Sequence, residues 1–377
     1  MAERCIALKI AMIGHKLVPS RSGGIEVAVE ALSTRMAALG HDVTLYNRGK
    51  DPQIHNERYK GVHIRSVPVV KKQGVSAVMG SFLATMRAIF GGYDCIHFHA
   101  EGIAAMTVLS HLRRIPTVVT IHGLDWQRSK WGRFASWYLK LGERNAVRYA
   151  DKIIVLSRAM QQYFLDTYGR ETVYIPNGMP APCPMEANLI TAQWGLHKDD
   201  YILYLGRIVP EKGLENLIRS FAQVHTDKKL VIAGGNLDMP EHFDMLRELA
   251  KDDPRIIFTG FVQGDNLREL FSNCYIYCLP SFLEGMPISL LEALGFGNCC
   301  LSSDIPECAE VLGKWGCQFR CGSVDDLRDQ LQMLCDHPEK VAECRCQVKE
   351  HFTHLTWDEV TEQTLDLYRS LRKDGKA

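Results

Sequence analysis

Short apolar, β-branched runs alternate with helix-period stretches along nearly the whole chain, and this alternation restricts the fold more than any other feature. In the first half such runs occupy residues 8–14, 42–46, 95–99, 117–121 and 152–156, and in the second 201–205, 230–235, 256–260, 275–279 and 298–302. Runs without a polar face suit sheets covered on both sides, which are built from parallel strands joined by helical crossovers. The expected class is therefore α/β. At 377 residues and 42.6 kDa there is chain enough for two domains, each with its own core. Asn177-Gly178 is a turn signal, and the Pro-rich stretch from Met179 to Pro184 lacks apolar periodicity. The division expected is a first domain at 1–178, a linker at 179–198 and a second domain at 199–356. A last helix at 357–377 carries Trp357, Val360, Thr364, Leu367, Tyr368 and Leu371 on one face.

Two segments of the second half carry the chemistry. In the first, the run 201–205 ends at Gly206, where the backbone can turn sharply, and Arg207 and Lys212 follow in the loop. Gly213 then precedes Leu214, Leu217, Ile218 and Phe221 at helical spacing, so both cations project from the carboxyl end of a strand, where open α/β sheets bind ligands. The second is Glu284-Gly285-Met286-Pro287-Ile288-Ser289-Leu290-Leu291-Glu292. Pro287 suits the first turn of a helix, placing Glu284 in the loop above it and Glu292 on its second turn. Were the whole stretch helical, the carboxylates would stand about 12 Å apart, roughly a sugar, a diphosphate and a ribose laid end to end. Each carboxylate can then hold one sugar, while the helix N-terminus, Arg207 and Lys212 meet the diphosphate. Alone, either pair reads equally well as solvated loop charge; together they favour a nucleotide-sugar site.

With these segments in place, the chain resembles the retaining nucleotide-sugar glycosyltransferases of family four, whose GT-B architecture has two facing Rossmann-like domains with parallel sheets and a central cleft. The resemblance also rests on Ser22-Gly23-Gly24-Ile25-Glu26, Ile121-His122-Gly123 and Ile175-Pro176-Asn177-Gly178. The segment from His122 to Gly132 looks most like the bacterial rhamnosyltransferase-type branch. The resemblance implies transfer of a sugar from a nucleoside-diphosphate sugar to an acceptor hydroxyl, with retention. It implies that Glu284 contacts the donor sugar, Glu292 the ribose and Arg207 and Lys212 the diphosphate. Gly23 and Gly24 would meet the phosphate end or the acceptor, Gly285, Met286 and Pro287 would line the donor, and His122 would lie near the transferred sugar. The expected catalytic set is Glu284, His122, Arg207 and Lys212. A nucleotide-sugar epimerase, or a noncatalytic nucleotide-sugar-binding membrane partner, would use similar parts.

No Asp-x-Asp pair occurs in the sequence, so no metal is expected, and no cofactor beyond the donor substrate. His97 and His99 share one face of their run, with Glu101 just beyond; without a third ligand in register they read as core or cleft lining. Gly234-Gly235 reads as a close approach to the nucleotide or as a simple turn. Thirteen cysteines show no Cys-x-x-Cys pair or regular framework, which points to free thiols in a reducing cytoplasm. The first residues run directly into a strand, with neither signal peptide nor membrane span expected.

Net charge is zero but uneven: residues 1–178 hold 24 basic and 13 acidic side chains, and the remainder 20 and 31. A basic first half suggests an anionic partner. No nucleic-acid-binding signature is present; with the family resemblance, an anionic membrane surface or a phosphorylated acceptor such as a lipid-linked saccharide fits better. If 126–149 were one helix, Trp126, Lys130, Arg133, Trp137, Lys140 and Arg144 would form a stripe, with Phe134, Tyr138 and Leu141 towards the core. With Lys71 and Lys72, this points to a cytoplasmic enzyme peripheral at the inner face of the plasma membrane. Plain solvated surface is the alternative.

Overall fold

The computed structural model describes residues 7–21, 23–49, 58–68, 75–127, 131–235 and 239–374. The chain forms two compact units, Met1–Gly178 with Leu355–Ala377, and Met179–His354. The first contains β1 (Lys9–Ile13), β2 (Asp42–Arg48), β3 (Arg58–Tyr59), β4 (Val62–Val67), β5 (Cys95–His99), β6 (Thr117–Ile121), β7 (Lys152–Val155) and β8 (Val173–Tyr174). They form one sheet in the order β3-β4-β2-β1-β5-β6-β7-β8, parallel except for the β3–β4 pair. β5 and β6 are buried along their whole length, as strands covered on both faces must be. Ile96, Phe98, Val119 and Ile121 lie in one core cluster with Ile13 and Phe164.

The order reverses at β1, with β2 on one side and β5 on the other. Gly14, at the carboxyl end of β1, has φ +134°, and a Cβ there would stand 2.1 Å from the His99 carbonyl oxygen. Only glycine lets the two strand ends close up in this way. The last helix, Trp357–Asp374, belongs to this unit and packs on the helix Gly24–Ala38. Trp357, Val360, Thr364, Tyr368 and Leu371 are buried as the sequence predicts; Thr361 and Leu365 are buried too, and Leu367 is only half-buried.

The second unit contains β9 (Tyr201–Leu205), β10 (Lys229–Ala233), β11 (Ile256–Gly260), β12 (Ile276–Leu279), β13 (Cys300–Ser303) and β14 (Cys317–Phe319), all parallel, in the order β11-β10-β9-β12-β13-β14. Its core uses tyrosines whose hydroxyls find partners, as buried hydroxyls must. Tyr201 donates to the Leu270 carbonyl at 2.7 Å and Tyr277 to Ser289 Oγ at 2.7 Å. Residues 179–198, expected as a linker, carry the helix Leu189–Trp194, with Ile190 and Leu196 buried. The buried Glu269 carboxylate accepts the N–H groups of Asn188 and Ile190 at 3.0 Å each, so this segment is packed structure within the second unit.

The sequence-derived strand set lacks β3, β4, β8 and β14. Three of them are only two or three residues long, and β4 alternates buried and open positions, so none forms a continuous apolar run. The basic stripe also differs from expectation. Trp126 sits on a separate short turn, Asp125–Gln127, and the helix is Arg133–Tyr149. Its inward positions are Leu139, Gly142, Glu143 and Ala146, whereas Phe134 is 78% exposed and does not face the core. Lys71, Lys72 and Lys130 lie outside the described residues.

Candidate functional site

In the second unit, β9 and β12 are the neighbours at which strand order reverses, since β9 runs on to β10 and β12 to β13 in the opposite direction. A crevice opens outside the carboxyl ends of such a pair. Both segments singled out in the sequence leave from those ends: Gly206–Gly213 follows β9, and residues 280–287 follow β12.

The two loops are strapped together by backbone as well as side chains. Pro210–Lys212 makes one tight turn, ending at Gly213 with φ +67°. A Cβ on Gly213 would lie 2.1 Å from the Pro280 carbonyl oxygen, so glycine is required both by conformation and by close approach. Two residues beyond Pro280, the Phe282 N–H donates to the Glu211 carbonyl at 2.9 Å. Lys212 Nζ then meets Glu284 Oε1 at 2.5 Å, with side-chain exposures of only 14% and 8%. Ser281 Oγ donates to the same oxygen at 2.7 Å, and Ser303 Oγ fixes the Ser281 carbonyl at 2.6 Å. A largely buried carboxylate thus has an ammonium and a hydroxyl on one oxygen, as a desolvated charge requires.

Arg207 lies at the start of the same loop. Tyr204, buried at the end of β9, donates its hydroxyl to the Arg207 carbonyl at 2.8 Å. The Tyr204 hydroxyl is pushed well above its ordinary pKa by burial and by the charge of Glu284, against an opposing pull from Arg207. Beside it, a Cβ on Gly234 would stand 2.0 Å from the Gly206 carbonyl oxygen, so Gly234 lets the β10 loop lie against the β9 loop. Pro287 is the residue capping the helix Ile288–Gly295, one position ahead of the first turn predicted for it. Met286 and Glu292 are buried and Gly285 is half-buried. Glu292 lies on the helix's second turn.

The first unit brings together groups far apart in sequence. His122 follows β6, and its Nε2 pairs with His99 Nδ1 at 3.1 Å. His97 Nδ1 meets the Tyr368 hydroxyl at 2.5 Å, and His97 Nε2 meets Thr120 Oγ1 at 2.7 Å. These three histidines line a small cavity with Asn177, Trp357 and Thr364. Burial holds His122 and His15 down at about 4 and His97 at about 3, with His99 also well below its ordinary value. All four are neutral at pH 7, so any proton role falls to neutral imidazoles. Glu101 is buried against Glu143 and Asp125, and burial first, then those carboxylates, pushes it up to about 10. Glu143 accepts from Trp126 Nε1 at 3.2 Å and Tyr163 OH at 2.9 Å, and from Tyr168 OH. Gly23 caps the helix Gly24–Ala38 with extended backbone, and Glu26 Oε1 accepts the Lys16 N–H at 2.9 Å; Ser22 lies outside the described residues.

The sequence reading missed Ser281, the loop strap at Gly213, and Tyr368 as the partner of His97. Gly213 was visible as a turn, but nothing local signals its contact with Pro280. Among the described residues there is no group of three or more His, Cys, Asp or Glu arranged to hold a metal ion, and no helix is long and apolar enough to cross a membrane.

Comparison with known proteins fits this geometry. Residues 22–181 match the family Glycosyltransferase Family 4, and residues 188–351 match Glycosyl transferases group 1. An uncharacterised glycosyltransferase of Methanocaldococcus jannaschii is 25% identical over 96% of this chain and 98% of its own. The alpha-maltose-1-phosphate synthase of Mycolicibacterium smegmatis is 24% identical over 97% and 100%. Among solved structures, Anabaena HepE in complex with UDP-glucose superposes with a TM-score of 0.79 at 16% identity, covering 96% of this chain and 100% of that one. Two parallel α/β units, each matched by its own family, together account for most of the chain, which is a glycosyltransferase of the GT-B fold that joins a Family 4 half to a group 1 half.

Proposed function

We propose that the protein transfers a sugar from a nucleoside-diphosphate sugar to an acceptor hydroxyl, with retention and without a metal ion, and that the second unit binds the donor. The observation that carries this reading is the Lys212–Glu284 pair at the β9–β12 switch point. An incoming diphosphate competes with Glu284 for the Lys212 ammonium. Lys212 and Arg207 then meet the negative charge that develops on the departing diphosphate, which is where fixed charge accelerates a transfer most. Glu284, relieved of Lys212, accepts from hydroxyls of the donor sugar, while Glu292 accepts from the ribose. The leaving phosphate takes part in removing the acceptor proton. HepE's complex with UDP-glucose supports a nucleotide sugar as the donor class.

The acceptor we propose is a lipid-linked saccharide used in cell-surface polysaccharide synthesis, met at an anionic membrane face. Support comes from the helix Arg133–Tyr149. Arg133, Lys140, Arg144 and Arg148 are exposed along one side of it, and Trp137, 57% exposed, packs its ring against Phe134 at 5.8 Å. Apolar rings among cations suit a headgroup layer. A thermal-shift panel of uridine- and thymidine-diphosphate sugars, thymidine-diphosphate rhamnose included, tests the donor reading: a ligand bound only by the native state raises the melting temperature. Failure of every nucleoside diphosphate to do so would remove it.

A further inference from the structure

β9 carries two tyrosines, both closed off from solvent, whose hydroxyls serve opposite ends of the strand. Tyr201 opens it and donates to the Leu270 carbonyl, on the helix Gly264–Asn273, at 2.7 Å. Tyr204 lies near its carboxyl end and donates to the Arg207 carbonyl at 2.8 Å. Each bond satisfies a buried hydroxyl, but only the second closes on a cation beside the switch point. Gly206 shows how tightly that turn wraps the Tyr204 hydroxyl. A Cβ on Gly206 would stand 2.8 Å from the Tyr204 hydroxyl oxygen and 3.3 Å from the ring carbon that bears it, as the two-residue period of a strand requires for positions on one face. On the neighbouring side, the Gly206 N–H donates to the Ala233 carbonyl at 3.0 Å. Just beyond Arg207, Ile208 and Val209 are buried. Arg207 is thus set between two anchored points, and the Tyr204 hydroxyl holds its carbonyl. Burial pushes that hydroxyl well above its ordinary pKa, so it remains protonated and able to donate at neutral pH.

We propose that Tyr204 is a positioning residue: by holding the Arg207 carbonyl, its hydroxyl sets the point from which the guanidinium reaches the diphosphate of the donor. This rests on the donor reading given above. A guanidinium grips phosphate through parallel N–H bonds, which form only when its planar fork is aimed. Without the phenolic O–H, the Arg207 carbonyl loses a partner and its peptide is free to rotate. The guanidinium must then be ordered at the moment of binding, which costs affinity. Tyr204 itself is fully buried and does not touch the donor, so its whole effect on binding passes through Arg207.

Calorimetric titration of uridine diphosphate and thymidine diphosphate tests this in five full-length proteins: unaltered, Tyr204→Phe, Tyr201→Phe, Arg207→Ala, and Tyr204→Phe combined with Arg207→Ala. Each phenylalanine keeps the ring and removes one hydroxyl bond, so Tyr201→Phe serves as a control for the loss of such a bond elsewhere on the same strand. Tyr204→Phe should weaken the nucleotide that binds by about threefold to tenfold, and Tyr201→Phe by less than about twofold. In the Arg207→Ala background, Tyr204→Phe should add less than about twofold, because the group it positions is gone. Unchanged affinity in Tyr204→Phe, an equal loss in Tyr201→Phe, or full additivity with Arg207→Ala would overturn the proposal and leave the donor site standing. No binding of either nucleotide to the unaltered protein, or unchanged affinity in Arg207→Ala, would instead overturn the role of Arg207 in donor binding, and the proposal with it.

Discussion

Lys212 Nζ lies 2.5 Å from Glu284 Oε1, joining the loop that leaves β9 to the loop that leaves β12 across the point where the strand order reverses. Each residue is the other's main partner, and each is also the group that a diphosphate or a sugar would claim. The pair therefore holds the two loops in register and, in the proposed function, yields them to the donor. Removing one partner leaves a largely buried charge with less than it needs. Lys212→Ala should lower stability by about 1–3 kcal/mol as well as turnover, with urea unfolding curves reading the first effect; an unshifted midpoint would mean that solvent already screens the pair.

Loss of either cation should slow transfer. Arg207→Ala and Lys212→Ala are each expected to reduce kcat/KM by about tenfold to a hundredfold, because a charge that meets the developing diphosphate anion is gone. Near-normal rates in both variants would remove the diphosphate from this loop.

The two glutamates should separate in their effects. Glu284→Gln should impair transfer more than product-nucleotide binding, and Glu292→Gln should weaken the nucleotide itself. Steady-state kinetics beside calorimetric titration with nucleoside diphosphate distinguish the two, and identical profiles would contradict the assignment of sugar to one and ribose to the other.

Saturating chelator should leave transfer largely intact, since in the proposed mechanism Arg207 and Lys212 supply the charge that a metal would otherwise bring. Loss of activity on chelation with recovery on adding a divalent ion would contradict that.

The first unit's histidines give stability a direction with pH. His122 and His15 are held at about 4 and His97 at about 3, below their unfolded values. Between those limits the unfolded chain binds protons that the native chain refuses, so stability is full above pH 6.5 and falls as the pH drops towards 4. Each buried imidazole should cost about 1–2 kcal/mol by pH 5, visible as a clear fall in melting temperature from pH 7. A level profile across that window would show that these rings protonate without unfolding.

Much of the fold was legible because its central strands are continuous apolar runs. The expected boundaries at 95–99, 117–121, 201–205 and 256–260 coincide with β5, β6, β9 and β11. Edge strands were not legible, since a pair such as Arg58–Tyr59 owes its conformation to β4 and carries no pattern of its own. The helix Arg133–Tyr149 shows how period alone misleads. The small Gly142, where a Cβ would stand 1.9 Å from the Glu101 carbonyl oxygen, decides which side faces inward and turns Phe134 out to solvent. In the candidate site, local context places Arg207, Lys212 and Glu284 in loops beyond strand ends and Glu292 on a helix, and the structure has them there. A contact that joins remote segments, such as that of His97 with Tyr368, leaves no trace in the spacing of either residue.

The exposed side of Arg133–Tyr149 can be examined with vesicles. Changing Phe134 and Trp137 to Ser, or Arg133, Lys140, Arg144 and Arg148 together to Gln, should reduce co-sedimentation with anionic liposomes, and high salt should do the same. Equal recovery with neutral and anionic vesicles would return this side to ordinary surface.

The central claim is that the loops after β9 and β12 bind a nucleoside diphosphate through Lys212. Calorimetric titration of uridine diphosphate and thymidine diphosphate into the unaltered protein and into Lys212→Ala tests it most directly. At least one of the two should bind the unaltered protein saturably, with affinity about tenfold or more weaker in the variant, as expected for losing a charge-assisted contact. Equal affinity in the two proteins, or no binding of either nucleotide, would contradict the account.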